Sequence, residues 1–140
     1  MTNMVCVTDS DFLISLIKKD DSKHRAVLEI SKKLVADDAV VIYPVTSIVE
    51  AATALLIRYN LPKLANALLN EYKDPDLMVV DVKQEDFINS VQYFNPNGSK
   101  QDTPFDCVIL SIATKQKVSV ILSFDDFYKG RGFKLPGDLL

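Results

Sequence analysis

The sequence predicts a three-layer α/β/α sandwich around a central, mainly parallel sheet, and three observations carry that expectation. The strand candidates are apolar along their length instead of alternating, as strands covered on both faces must be. Each is followed by a segment with helical periodicity, and right-handed crossovers distribute such helices over both faces. The 140 residues suffice for a single domain over 1–140 that buries about two-thirds of its unfolded surface.

Val5 to Thr8 reads as the first strand, and Phe12, Leu13, Leu16 and Ile17 then recur at helical spacing before the basic Lys18 and Lys19. A second helix fits Ser22 to Val35, with Val27, Ile30 and Leu34 on one stripe and Lys23, Arg25, Lys32 and Lys33 turned outward. Ala39 to Tyr43 is the second strand, stopped by Pro44. The next helix starts near Thr46 or Ser47 and runs to Tyr59; Ile48, Val49, Ala52, Leu55 and Leu56 surround it, which predicts burial on several sides. After Asn60 and Pro62, a fourth helix carries Leu64, Ala67, Leu68 and Tyr72. Leu77 to Val82 is the third strand. Glu85 to Phe94 follows as a helix using Phe87, Ile88, Val91 and Phe94, and Asn95-Pro-Asn-Gly-Ser99 as a loop. Thr103-Pro104 opens a strongly apolar helix to about Lys115, then come the fourth strand, Val118 to Leu122, and a helical turn at Asp125 to Tyr128. Beyond Gly132 the pattern gives no element.

The balance of 48% hydrophobic and 25% charged residues is that of an ordinary globular protein. A net charge of −3 gives no bulk attraction to nucleic acid, so a phosphate-binding surface has to be local or work through bound cations. Cys6 and Cys107 read as buried thiols. The N-terminal residues lack a signal-peptide pattern, which predicts a cytoplasmic protein. Pro44, Thr46, Ser47 and Glu50 interrupt the longest apolar region, Ala39 to Ile57, and no membrane span is expected.

In parallel sheets, residues that follow strands meet at the carboxyl edge, where ligands bind. Asp9 and Asp11 follow the first strand, Glu50 follows the second by one helical turn, and Asp125 and Asp126 follow the fourth. Asp106 joins them from the first turn of a helix that is otherwise apolar. Each acid also has a local explanation, because Ser47 to Glu50, Thr103 to Asp106 and Ser123 to Asp126 all fit a capping box or its Asp variant. Gathered at one edge, however, the carboxylates repel each other, and a hard divalent cation, Mg²⁺ or Mn²⁺, is the natural counter-charge. His24, the only histidine, lies in a charged stretch and reads as solvated, which disfavours zinc or a Ser/His/Asp triad.

Four motifs in order resemble the PIN domain family, and within it the VapC-type ribonuclease toxins: VTDSDFLISL, PVTSIVEAATALL, PFDCVILSIATKQK and VSVILSFDDFYK. The resemblance implies catalytic and metal-binding roles for Asp9, Glu50, Asp106 and Asp125, and Ser10, Asp11, Thr46 and Ser123 as supporting polar groups. The family usually has a residue or two more between the last acid and its aromatic, whereas Asp125 and Asp126 abut Phe127. Asp125 keeps the Ser-x-Asp spacing and is preferred over Asp126 as the metal-facing acid, with Asp126 left as the helix cap. Asp11 stands where Asn is common and adds a negative charge. The implied activity is metal-dependent endoribonuclease cleavage of RNA, with Mg²⁺ or Mn²⁺ as cofactor, an antitoxin as partner and a homodimer as assembly. Lys129, Arg131 and Lys134 are candidate RNA phosphate contacts, and the Pro62 to Tyr72 helix, through Leu64 and Leu68, is the candidate dimer face.

Two other readings compete. Asp9-Ser-Asp11 is similar to the start of a haloacid-dehalogenase-like phosphatase, with Asp9 as nucleophile, Asp11 as acid or base and Asp125 and Asp126 as its late pair. Against it, Phe12 and Leu13 replace the usual Gly and Thr, and no catalytic Lys motif follows. The other is a PIN-like RNA- or protein-binding module without turnover.

Overall fold

The computed structural model describes residues 3–140. Its sheet has four strands, β1 (Val5–Thr8), β2 (Val40–Pro44), β3 (Met78–Val80) and β4 (Val120–Leu122), in the order β3-β2-β1-β4. Every pairing is parallel. The helices are α1 (Ser10–Ile17), α2 (His24–Ala36), α3 (Val45–Ile57), α4 (Pro62–Glu71), α5 (Gln84–Ser90) and α6 (Pro104–Lys115), with 3₁₀ turns at Val91–Tyr93, Asp126–Arg131 and Pro136–Leu139.

Strand register explains why β1 and β4 read as continuous apolar runs. Val7 pairs with Ile42 and Ile121, and these three pack with Ile109, Leu110 and Ala113 of α6. The alternate residues Cys6, Val120 and Leu122 point the other way, against Phe12 of α1 and Val27, Ile30 and Leu34 of α2. Both faces are therefore covered, and each fully buried Ile or Leu contributes roughly 1.5–3 kcal/mol. Both cysteines are buried and unpaired. Among the described residues no helix is long and apolar enough to cross a membrane.

The chain steps outward from β1 to β2 to β3 and then returns across the sheet to place β4 on the other side of β1. The carboxyl ends of β1 and β4 thus flank the point where strand order reverses, the crevice that open parallel sheets use for ligands.

Several expectations need correction. Helix α3 begins at Val45 behind Pro44, so Ser47 is inside it and forms no box with Glu50; its hydroxyl instead donates to the Thr8 carbonyl at 2.9 Å. That helix is not buried all round, since Val49 and Leu56 are exposed along with Val45 and Ile57. Helix α5 turns Phe87 and Ile88 outward and buries Asp86 and Ser90. In α4, Leu68 packs on Ala51, Ala52 and Leu55 of this same chain, and Leu64 packs beside them, so the stripe assigned to a dimer face belongs to the core. His24 is half-buried, with Nδ1 2.7 Å from the Ser15 carbonyl. The tail is ordered as well: Lys134 N–H donates to Ser119 O and Ile121 N–H to Lys134 O, both at 3.0 Å, which covers the open edge of β4.

Candidate active site

Asp9 leaves the sheet directly from β1. Its N–H still donates to Leu122 O at 3.0 Å, as the ladder would continue, while its carboxylate caps α1 by accepting from Ser10 N–H at 2.7 Å. Being the first residue past a strand paired on both sides, it is held firmly and is 3% exposed. Glu50 comes one turn into α3. Asp106 is the third residue of α6, where one oxygen accepts from Thr103 N–H at 2.9 Å, the expected capping contact. Asp125 caps the 3₁₀ turn after β4 by accepting from Phe127 N–H at 3.0 Å. These four acids, together with Asp11, line one pocket of about 540 Å³.

Asp11, two residues after Asp9, serves a different purpose. Its Oδ2 accepts from Ser123 Oγ at 3.0 Å and Phe124 N–H at 2.7 Å, and its Oδ1 from Phe12 N–H at 2.8 Å. Ser123 Oγ in turn accepts from Asp125 N–H at 3.0 Å. Asp11 therefore fastens the β4 turn that presents Asp125. Asp11 lines the pocket too, and burial raises it to about 6, but its oxygens are engaged in holding this turn, which weakens the phosphatase reading.

The electrostatics follow from crowding. Burial, and next the neighbouring Asp11, push Asp9 up to about 7. Burial and then Asp9 push Asp106 to about 7. Glu50 is also raised by burial, offset in part by Ser10 and Arg58. These groups resist ionising together, as carboxylates that share one buried pocket must.

Sequence reasoning missed five contributors. Asp102 offers a carboxylate oxygen that lies with those of Asp106 and Asp125 inside 4.8 Å. Arg58 and Lys100 bring positive charge to the same pocket, and Gln101 lines it too. Tyr128 is wholly buried, and its hydroxyl donates to Asp9 Oδ2 at 2.6 Å and lies 3.3 Å from Asp106 Oδ1. Arg58 was legible in principle, since it lies eight positions beyond Glu50, near the same face of α3. Lys100, Gln101 and Asp102 belong to a loop whose path no periodicity reveals.

Other predicted residues fall elsewhere. Asp126 is exposed and does not line the pocket, and Asp125 rather than Asp126 is the cap. The buried aromatic after the acids is Tyr128, not Phe127, which restores the longer separation that the family shows. Lys129 and Arg131 are exposed outside the pocket lining, and Lys134 is absent from it as well; the Arg131 guanidinium stacks 4.6 Å over the Phe127 ring. Ser10 lines the pocket. Thr46 Oγ1 is buried without a hydrogen-bond partner among the described residues.

The sequence model of the PIN domain matches residues 6–132, most of the chain. The chain belongs to the PIN domain family. No curated protein sequence matches it. Among solved structures, this PIN domain is similar to VapC20 of Mycobacterium tuberculosis, described as a sarcin-ricin loop cleaving toxin, with TM-score 0.77 and 18% identity over 91% of this chain and 95% of that one. VapBC2 of Rickettsia felis, bound to a promoter DNA fragment, gives 0.62 and 13% over 94% and 97%. DNA-bound VapBC of Salmonella typhimurium gives 0.60 and 14% over 94% and 96%. The VapC-like fold is thus shared over almost the whole length of each.

The donor set fits a hard cation. It consists of carboxylate oxygens with polar neighbours, contains no thiolate or imidazole, and holds three such oxygens within 4.8 Å of one another.

Proposed function

We propose that this PIN domain is a metal-dependent endoribonuclease that hydrolyses RNA phosphodiester bonds, and that it acts as the toxin of a toxin–antitoxin pair. The observation that carries the reading is the convergence of Asp9, Glu50, Asp106 and Asp125, from four separate elements, on one pocket where burial and mutual repulsion raise Asp9 and Asp106. Those four, with Asp102 beside them, would hold Mg²⁺ or Mn²⁺. When bound, such an ion makes a water nucleophilic near neutral pH and offsets charge on the phosphate oxygens.

The chain's own residues supply the rest. Arg58 and Lys100 are suited to receive the phosphates on either side of the cleaved bond, a role taken over from Lys129, Arg131 and Lys134. Asp11 and Ser123 keep Asp125 turned inward through the β4 turn. Glu50 and Arg58 also border a second, apolar groove with Val49, Ile57 and Phe105. A partner that set a cationic side chain into the acid pocket and apolar ones into this groove would block both, which supports an inhibitory antitoxin. A homodimer in the cytoplasm remains part of the proposal.

The test is cleavage of single-stranded and structured RNAs by purified protein with Mn²⁺ or Mg²⁺. Cuts that vanish on chelation and in Asp9→Asn support the reading. Intact RNA in every condition, from folded protein with bound Mn²⁺, overturns it in favour of a binding module.

A further inference from the structure

We infer that Tyr128 is a positioning residue whose hydroxyl sets Asp9 against Asp106 and so governs how tightly the site takes a divalent cation. The inference rests on the reading of the pocket as a metal centre.

Tyr128 lies on the 3₁₀ turn after β4, and its ring sits in the apolar cluster of Val7, Ile42, Ile109, Leu110 and Ile121. Phenylalanine would fill that space equally well. The hydroxyl needs a different reason, and its surroundings supply one: it meets Asp9 Oδ2 at 2.6 Å and Asp106 Oδ1 at 3.3 Å, carboxylates from β1 and α6 that are 97 residues apart in sequence. A phenol carries one proton, so the shorter contact takes the donation, and the oxygen, anchored by its buried ring, stands between the two carboxyl groups.

Asp9 then has a donor on each oxygen, Ser10 N–H on Oδ1 and Tyr128 on Oδ2, and its plane is fixed. Each oxygen still has a lone pair for a cation. Partners that orient a ligating carboxylate in this way are worth about 10- to 100-fold in metal affinity. The competing account is that a buried tyrosine merely needs an acceptor for its O–H. In that case the acids would bind an ion equally well without it.

Calorimetric titration of the full chain with Mn²⁺, wild type against Tyr128→Phe, separates the two, with thermal unfolding of the ion-free proteins alongside. The inference predicts a dissociation constant raised about tenfold or more in Tyr128→Phe with the fold retained. Equal affinities within twofold overturn it and leave the metal-centre reading standing. Failure of the wild type to bind Mn²⁺ overturns that reading and the inference with it. Should Tyr128→Phe not fold, 3-fluorotyrosine incorporated at position 128 alone keeps the ring and strengthens the donor; Mn²⁺ affinity must then shift by more than twofold, and an unchanged value overturns the inference.

Discussion

Asp86 and Asp106 occupy the same local motif and have opposite fates. Each is the third residue of a helix, each is buried, and each accepts from the N–H of its cap residue, Lys83 at 2.8 Å and Thr103 at 2.9 Å. The second oxygen makes the difference. That of Asp86 meets the Lys115 ammonium at 3.0 Å, whereas that of Asp106 faces Tyr128 and, beyond it, Asp9. Burial works to raise both groups, but the Lys83 N–H and Lys115 outweigh it at Asp86, which is lowered, while Asp9 reinforces it at Asp106. A buried capping acid with a cation is structural. One that faces a second carboxyl instead is suited to a metal ion.

The comparison is broken most sharply by neutralising each acid in turn. Asp106→Asn is expected to cut RNA cleavage by about 100-fold or more while leaving the melting temperature equal or higher, because a repelled buried carboxyl is removed. Asp86→Asn should do the reverse: unchanged cleavage per folded molecule, and a loss of about 1 kcal/mol for the weakened cap, or several degrees in melting temperature. Cleavage assays and thermal unfolding on the same two preparations decide. If Asp86→Asn also abolishes cleavage, the distinction between the acids is wrong.

Asp11→Ala comes next. It strips the acceptors from Ser123, Phe124 and Phe12, each worth about 1 kcal/mol, and frees the turn that carries Asp125. Cleavage should fall roughly tenfold, as expected for a lost outer-shell partner, with stability reduced as well; kinetics and denaturant unfolding check both.

The ion-free protein should also answer to pH. Asp9 and Asp106 have folded values near 7, above their unfolded ones, so the stability they contribute is full below about pH 4 and is lost as pH rises through 7. Its melting temperature should therefore drop between pH 5 and pH 8, and Mn²⁺ should restore most at the higher pH. A flat profile without metal would show that these acids are not strained together.

The smallest effect belongs to Arg58→Ala. Binding of an uncleavable RNA should weaken a few-fold and lose about one from its slope of log affinity against log salt. The same change at Lys129 should leave the slope as it is.

The fold was legible because β1, β2 and β4 are short, apolar and separated by helical periods, which few architectures satisfy. Asp9 and Asp125 were legible because a residue soon after a parallel strand has little choice of where to go, and Glu50 and Asp106 because each is an acid early in an otherwise apolar helix. What escaped depended on direction at a finer scale. Asp9 and Asp11 are two residues apart and both line the pocket, yet Asp11 also reaches across to fasten the β4 turn. The Ser47 box failed because Pro44 started α3 earlier, turning the hydroxyl toward Thr8. Asp102, Arg58 and Lys100 reach the pocket through a loop path and a helix end, and Tyr128 looked like any aromatic until its depth was known.

Diffraction from a crystal soaked in Mn²⁺ tests the central claim most directly. We predict an anomalous peak in the pocket within about 2.5 Å of carboxylate oxygens from at least three of Asp9, Glu50, Asp102, Asp106 and Asp125. A saturated soak with these acids ordered and no peak among them would contradict the account.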